Sequence, residues 1–255
     1  MDRQEILARL HLHAVLPVLA KVVEFDREAR EITQGWQATL QFGYITGPVV
    51  QLQFADGNCR VFRQAVAKAD VAFWFPTPAM LNNLFLGQGF TLPLIYGFWN
   101  IKLVKGFMAL AKRMEHYLKG LDGKELDAET TRQVLTCKLA LATWGTAVLA
   151  ECDPKLEAFS SHIPAGATLN FVIKPDGPNF YLKKTNAGSF VAGDGSVSEP
   201  TAELTFASQA IASQLLEGKL DTFAALGSQE VVVRGLVPMV DDVSAILAKL
   251  EKYLG

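Results

Sequence analysis

Cysteine is scarce in this chain of 255 residues: Cys59, Cys137 and Cys152 make an odd number and form no Cys-x-x-Cys pair. A disulfide framework and a cysteine-rich zinc site are thereby excluded, and a reducing, cytoplasmic compartment is the simplest expectation. Histidine is too thin for a metal centre. His11 and His13 stand two apart, which on a helix separates them by about 200°, and His116 and His162 are isolated. The chain has no His-Glu-x-x-His, P-loop or Gly-x-Ser-x-Gly, and its Gly87-Gln88-Gly89 and Gly193-Asp194-Gly195 pairs lack the strand-to-helix setting of a dinucleotide site. No catalytic residue, metal or cofactor is assigned, and an enzyme is not expected. An excess of one charge is missing as well: 24 Lys+Arg face 26 Asp+Glu, against the basic balance of a nucleic-acid binder. The apolar stretch LHLHAVLPVLAKVVEF has acids, Asp2 and Glu5, where a secretory leader has a basic region, and is read as a helix of the folded protein.

What is present is a duplication. Ala38-Thr39-Leu40-Gln41-Phe42 recurs as Ala167-Thr168-Leu169-Asn170-Phe171, an offset of 129 from Ala38 to Ala167. Leu52…Val61 returns as Leu182…Val191, Ala69–Phe73 as Ala202–Phe206, Lys102–Gly106 as Val231–Gly235, and the ending AKRMEHYL as AKLEKYL. Repeats of this length are whole domains, 1–120 and 121–255. Each opens on a helical pattern, with a kink at Pro17 in the first and a cap at Asp127 in the second. Strands follow: ATLQFGYI, then VVQLQF and CRVF around an Asp56-Gly57 turn, and in the second copy ATLNFVI, FYLKK and SFVAG. A strand near Phe73 or Phe206, a short helix, a last strand ending at Gly106 or Gly235, and an amphipathic closing helix complete an α+β domain with a mostly antiparallel sheet.

From Val71 to Ile101 no Asp, Glu, Lys or Arg occurs, while Phe73, Trp74, Phe75, Phe85, Phe90, Tyr96, Phe98 and Trp99 do. The matching part of the second copy carries Glu217, Lys219 and Asp221 and the rings Phe206 and Phe223. The fold therefore does not itself demand so many rings. The surplus must be covered by the other repeat, a lipid-like ligand or a membrane face. Residues 1–120 hold 13 Lys+Arg and 9 Asp+Glu, net +4, and residues 121–255 hold 11 and 17, net −6. Lys102, Lys105, Lys112 and Arg113 follow the ring-rich segment and suit an anionic lipid surface.

The stretch KADVAFWF…AMLNNLFLGQ…FWNIKLVKGFMALAKRM, echoed by AELTF…IASQLLEGKL…QEVVVRG, resembles the sterol carrier protein type two family. The chain looks like a tandem pair of such domains, each a curved, mostly antiparallel sheet backed by helices. The resemblance implies a non-catalytic carrier that holds a fatty acid, acyl-coenzyme A, sterol or phospholipid in an apolar cavity. It places Phe73, Phe75, Leu81, Leu84, Phe85, Phe107, Leu110 and Met114 around that cavity in the first copy, with Phe90 a further candidate. In the second copy the matching positions are Phe206, Leu215, Leu216 and Phe223. The surplus of rings assigns the ligand to the first repeat and leaves the second as a packing partner. The first copy is expected to have four more residues between its aligned Ala69 and Gly106 than the second has between Ala202 and Gly235. The alternative is an accessory subunit that docks on a membrane or on an enzyme complex of lipid or quinone biosynthesis.

Overall fold

The computed structural model describes residues 1–89 and 92–254, without the side chains of residues 222 and 223. It divides into two compact units, Met1–Asp122 and Gly123–Gly255. In the first, α1 (Arg3–Leu10), a wider π-type turn at His11–Val15, α2 (Val18–Phe25) and α3 (Arg27–Thr33) precede the sheet. The wide turn takes up the kink expected at Pro17. Proline donates no N–H and its ring crowds the preceding turn, and Leu16 N–H reaches back to His11 O at 2.9 Å.

Strands β1 (Ala38–Tyr44), β2 (Val49–Ala55), β3 (Asn58–Phe62), β4 (Val71–Phe75) and β5 (Leu94–Tyr96) form one sheet in the order β3-β2-β1-β4-β5. Three pairs are antiparallel and β1 with β4 is parallel. Between β2 and β3 the chain turns at Asp56 (φ 52°) and Gly57 (φ 75°), the primed geometry that matches strand twist. Helix α4 (Pro78–Leu86) joins β4 to β5, and α5 (Ile101–Glu115), extended by a π-type turn at His116–Gly120, closes the unit.

The second unit repeats this plan. Helix α6 (Ala128–Cys152), capped by the Asp127 carboxylate on the N–H groups of Glu129 and Thr130, leads through a short 3-10 turn to α7 (Glu157–His162). Strands β6 (Thr168–Ile173), β7 (Phe180–Lys184), β8 (Phe190–Asp194), β9 (Ala202–Phe206) and β10 (Val231–Gly235) make the sheet β10-β9-β6-β7-β8, again with one parallel pair, β6 with β9. Helices α8 (Gln209–Leu216) and α9 (Thr222–Gly227) lie between β9 and β10, and α10 (Val237–Leu254) closes the unit. Both units are thus α+β domains of one topology.

The parallel registers correct three expectations. Leu40 faces Val71 as Leu169 faces Ala202, so Phe73 corresponds to Leu204, and Phe75, not Phe73, to Phe206. Lys102–Gly106 is not a strand: it lies in α5, where Val104, Phe107, Leu110 and Met114 turn inward at helical spacing. The last strand of the first unit is β5, and its closing glycine is Gly97. Gly97 (φ 77°) and Gly235 (φ 80°) share a left-handed conformation, and a Cβ at either would lie 2.0 or 2.2 Å from the carbonyl oxygen of Asp70 or Thr201. From Val71 to Gly97 is 26 residues and from Ala202 to Gly235 is 33, so the first unit is shorter here by seven rather than longer by four.

Candidate functional site

On β4, Val71, Phe73 and Phe75 alternate toward the helices and are buried. Phe73 stacks on Phe42 of β1 with centroids 4.8 Å apart and planes 6° from parallel, and Phe107 of α5 tilts against both at 4.7 and 5.3 Å. Leu81, Leu110 and Met114 are also buried. Phe85 leaves the expected lining: its ring stacks on His11 at 4.6 Å. Leu84 is exposed. Phe90 lies outside the described residues. The described first-unit candidates are thus buried or in ring contact, apart from the exposed Leu84.

His11 is fixed from two sides. Asn82 Nδ2 donates to the Gln4 carbonyl and to Gln4 Oε1 at 2.9 and 2.7 Å, so Asn82 Oδ1 is the acceptor for His11 Nδ1–H at 2.9 Å. Burial, outweighing this bond and helped by Lys119, lowers the imidazole to about 4. His13 is lowered to about 4 as well, by burial first and then by Arg63 and Arg9. Burial, with Glu24, pushes the Cys59 thiol up to about 12, which leaves no nucleophile there. Among the described residues no cluster of three His, Cys, Asp or Glu could hold a metal ion.

The surplus rings are on the outside. Tyr96, Phe98 and Trp99 are exposed, with Trp99 edge-on to Tyr96 at 5.3 Å and to Phe98 at 5.4 Å. Leu92, Leu94, Ile101 and Met108 are exposed beside them in sequence. Lys102, Lys105 and Lys112 are exposed on α5. Arg113 departs from the expected membrane-facing set. Its guanidinium pairs with Asp26 at the start of α3, whose carboxylate also accepts from Ala29 N–H at 2.6 Å and Tyr117 Oη–H at 2.8 Å. Burial alone would raise the Asp26 carboxyl, but the bonds from Arg113, Ala29 and Tyr117 hold it below the usual carboxylate value.

A cavity of about 70 Å³ lies in the second unit, between the sheet and helices α6, α8 and α10. Leu139, Ala142 and Thr143 form its α6 wall, Leu169, Phe171 and Leu204 its floor, Leu215 and Leu216 its α8 wall, and Val240, Val243, Ser244 and Leu247 its α10 wall. Two of the second-unit candidates, Leu215 and Leu216, thus line it. Phe206 does not; it sits in the adjoining core with Leu135, Ile173 and Phe180. The side chain of Phe223 is outside the described residues. The two hydroxyls on the wall are already bound to their own helices, Thr143 to Leu139 O and Ser244 to Val240 O, at 2.8 and 2.7 Å. What remains is an apolar surface with no group placed for chemistry. Sequence reasoning missed the α6 and α10 walls, whose signal was the apolar spacing of Leu139, Ala142 and Thr143 on a helix read simply as core.

No protein-family model and no curated protein sequence matches the chain. Among solved structures it is similar to a UbiJ-SCP2 ubiquinone synthesis protein, at 18% identity and a TM-score of 0.33, over 44% of this chain and 93% of that one. The chain resembles sterol carrier protein 2 domains. Two more such structures are the sterol carrier protein domain 2 of Helicoverpa armigera (16% identity, TM-score 0.34, 45% and 89% covered) and the apo sterol carrier protein 2 of Yarrowia lipolytica (21%, 0.31, 46% and 97%).

Proposed function

We propose that the protein is a non-catalytic carrier whose second unit takes up the apolar chain of a lipid-like ligand. The supporting observation is the cavity beneath α8, walled by leucine, valine, alanine and phenylalanine, with both hydroxyls spent on helix carbonyls. Its 70 Å³ is smaller than the roughly 150 Å³ of an apolar cavity that admits benzene. Uptake of a fatty chain therefore requires α8 to give way at Leu215 and Leu216, which are half-buried next to the exposed Glu217–Lys219. Apolar transfer supplies about 0.8 kcal/mol per buried CH₂, so a dozen methylenes give on the order of 10 kcal/mol before ordering costs. Such a pocket selects weakly between chain lengths.

The reading moves the ligand from the first repeat, where the ring surplus suggested it, to the second. Titration of the full-length protein with a fluorescent fatty acid tests it. Ala142→Leu, which adds side-chain bulk to the cavity wall, is expected to weaken uptake at least ten-fold, while the exposed first-unit change Leu84→Ser leaves it unchanged. Wild-type affinity in a folded Ala142→Leu protein would overturn the assignment.

A further inference from the structure

We propose that the β5–α5 surface of the first unit docks on a bilayer containing anionic phospholipid. Four observations converge on that occupant. First, the surface is apolar and open: Phe98 is 65% exposed, Trp99 60%, and Ile101 and Met108 58% each. Ring edges and faces of this kind, held together by the Trp99 contacts to Tyr96 and Phe98, are the side chains that settle at a membrane–water boundary.

Second, α5 carries two faces. Ile101, Lys105, Met108 and Lys112 follow the spacing i, i+4, i+7, i+11 and form one exposed stripe in which apolar and cationic residues alternate. The opposite face, with Phe107, Leu110 and Met114, packs into the core. Lysine stems can lie along apolar surface while their ammonium groups reach outward to phosphate.

Third, the segment that builds the patch carries no carboxylate. From Val71 to Met114 the chain has no Asp or Glu, and its cations are Lys102, Lys105, Lys112 and Arg113; the exposed Asp70 and Glu115 flank it, the Asp70 carboxylate accepting from Thr39 N–H. A protein partner would need acidic groups set against three flexible lysines, whereas an anionic leaflet presents charge at every point. Fourth, Arg113 is withdrawn into the pair with Asp26, so the cations that α5 offers outward are the exposed Lys102, Lys105 and Lys112.

This inference does not use the second-unit cavity, so its failure and that of the carrier reading are separate events. The full-length protein is sedimented with vesicles of phosphatidylcholine alone and of phosphatidylcholine with 30 mol% phosphatidylglycerol. Binding to the anionic vesicles at least ten-fold tighter than to the neutral ones, and weakening with salt, is expected. Each lysine contributes about five-fold, so Lys102→Gln, Lys105→Gln and Lys112→Gln together are expected to lower binding by more than ten-fold. Phe98→Ser with Trp99→Ser is expected to lower it on both vesicle types. All these side chains are exposed, and an unchanged circular dichroism spectrum and melting temperature confirm that the variants fold. The proposal is overturned if wild-type protein stays in the supernatant. It is equally overturned if the lysine variant pellets like wild type, or if light scattering shows a dimer that the Phe98/Trp99 variant abolishes while vesicle binding is absent.

Discussion

His11 and His13 are kept neutral by their surroundings, and the free energy of folding inherits that fact. The unfolded chain takes up a proton on each imidazole as pH falls through about 6.5, whereas the native protein does so near 4. Stability contributed by the neutral forms is therefore present above pH 6.5 and is lost across the window down to 4. Each histidine accounts for on the order of 3 kcal/mol over that span. Denaturant titrations at pH 7, 5.5 and 4.5 are expected to show the midpoint of the first unit falling steeply. His13→Leu, which removes a buried Nε2 with no hydrogen-bond partner among the described residues, should roughly halve the slope; an unchanged slope would mean that His13 takes up its proton equally in the native and unfolded states. None of this was legible from residue type alone. The sequence places two histidines on an apolar helix, but the isolation of His11 from water depends on Phe85 and Asn82, about seventy positions away.

The same long-range dependence governs the elements. Asp26 ends α2 and caps α3, and it receives Tyr117 from the turn that follows α5. In the second unit Asp153 ends α6, caps the next turn, and receives Tyr253 of α10 at 3.0 Å. Each unit thus ties its closing helix to the end of its opening one through a single carboxylate. The sequence carried the signal twice, as Glu24-Phe25-Asp26 against Glu151-Cys152-Asp153 and as the matching tyrosines of the two endings, but a pair of local echoes does not say that they meet. Burial and the Asp26 bond push the Tyr117 phenol up to about 12, so it remains a donor at every working pH. Asp26→Asn leaves the partly buried Arg113 with its outer partner Glu28 at 3.3 Å and is expected to cost about 2 kcal/mol, and Tyr117→Phe about 1 kcal/mol, by urea denaturation. Equal midpoints for wild type and Asp26→Asn would show the tie to be ornamental. Other elements were plain beforehand: the Asp56-Gly57 hairpin, the Asp127 cap of α6, and the paired strands β1 and β6. Strand β5 was not, because Leu94–Tyr96 is too short to display an alternation. The basic run after it was matched to Val231–Gly235 by residue class, although its apolar positions follow helical spacing.

At the scale of the molecule, composition reported how much apolar surface the first copy has, and could not report on which side of the sheet that surface lies. Of the seven described rings between Val71 and Ile101, Tyr96, Phe98 and Trp99 are exposed, and Phe73 and Phe75 are buried. The described hollow is in the copy with fewer rings. Because each unit has its own sheet and its own buried core, the two proposed activities should separate with the chain. Residues 123–255 expressed alone are expected to take up the fluorescent fatty acid, and residues 1–122 alone to sediment with anionic vesicles. Fatty-acid uptake by the first fragment and not the second would reverse the assignment.

The seven-residue difference between the copies carries a last consequence. After α8 the longer stretch folds back as α9, and Ala225 packs beside Val231, so the terminal strand of that sheet has a roof. After α4 the stretch is half as long, running from Gly87 to Pro93 against Glu217 to Glu230, and Leu94 and Tyr96 on β5 stay open to solvent. The two copies thus differ here in length of chain, and the longer one covers an edge strand that the shorter one leaves bare.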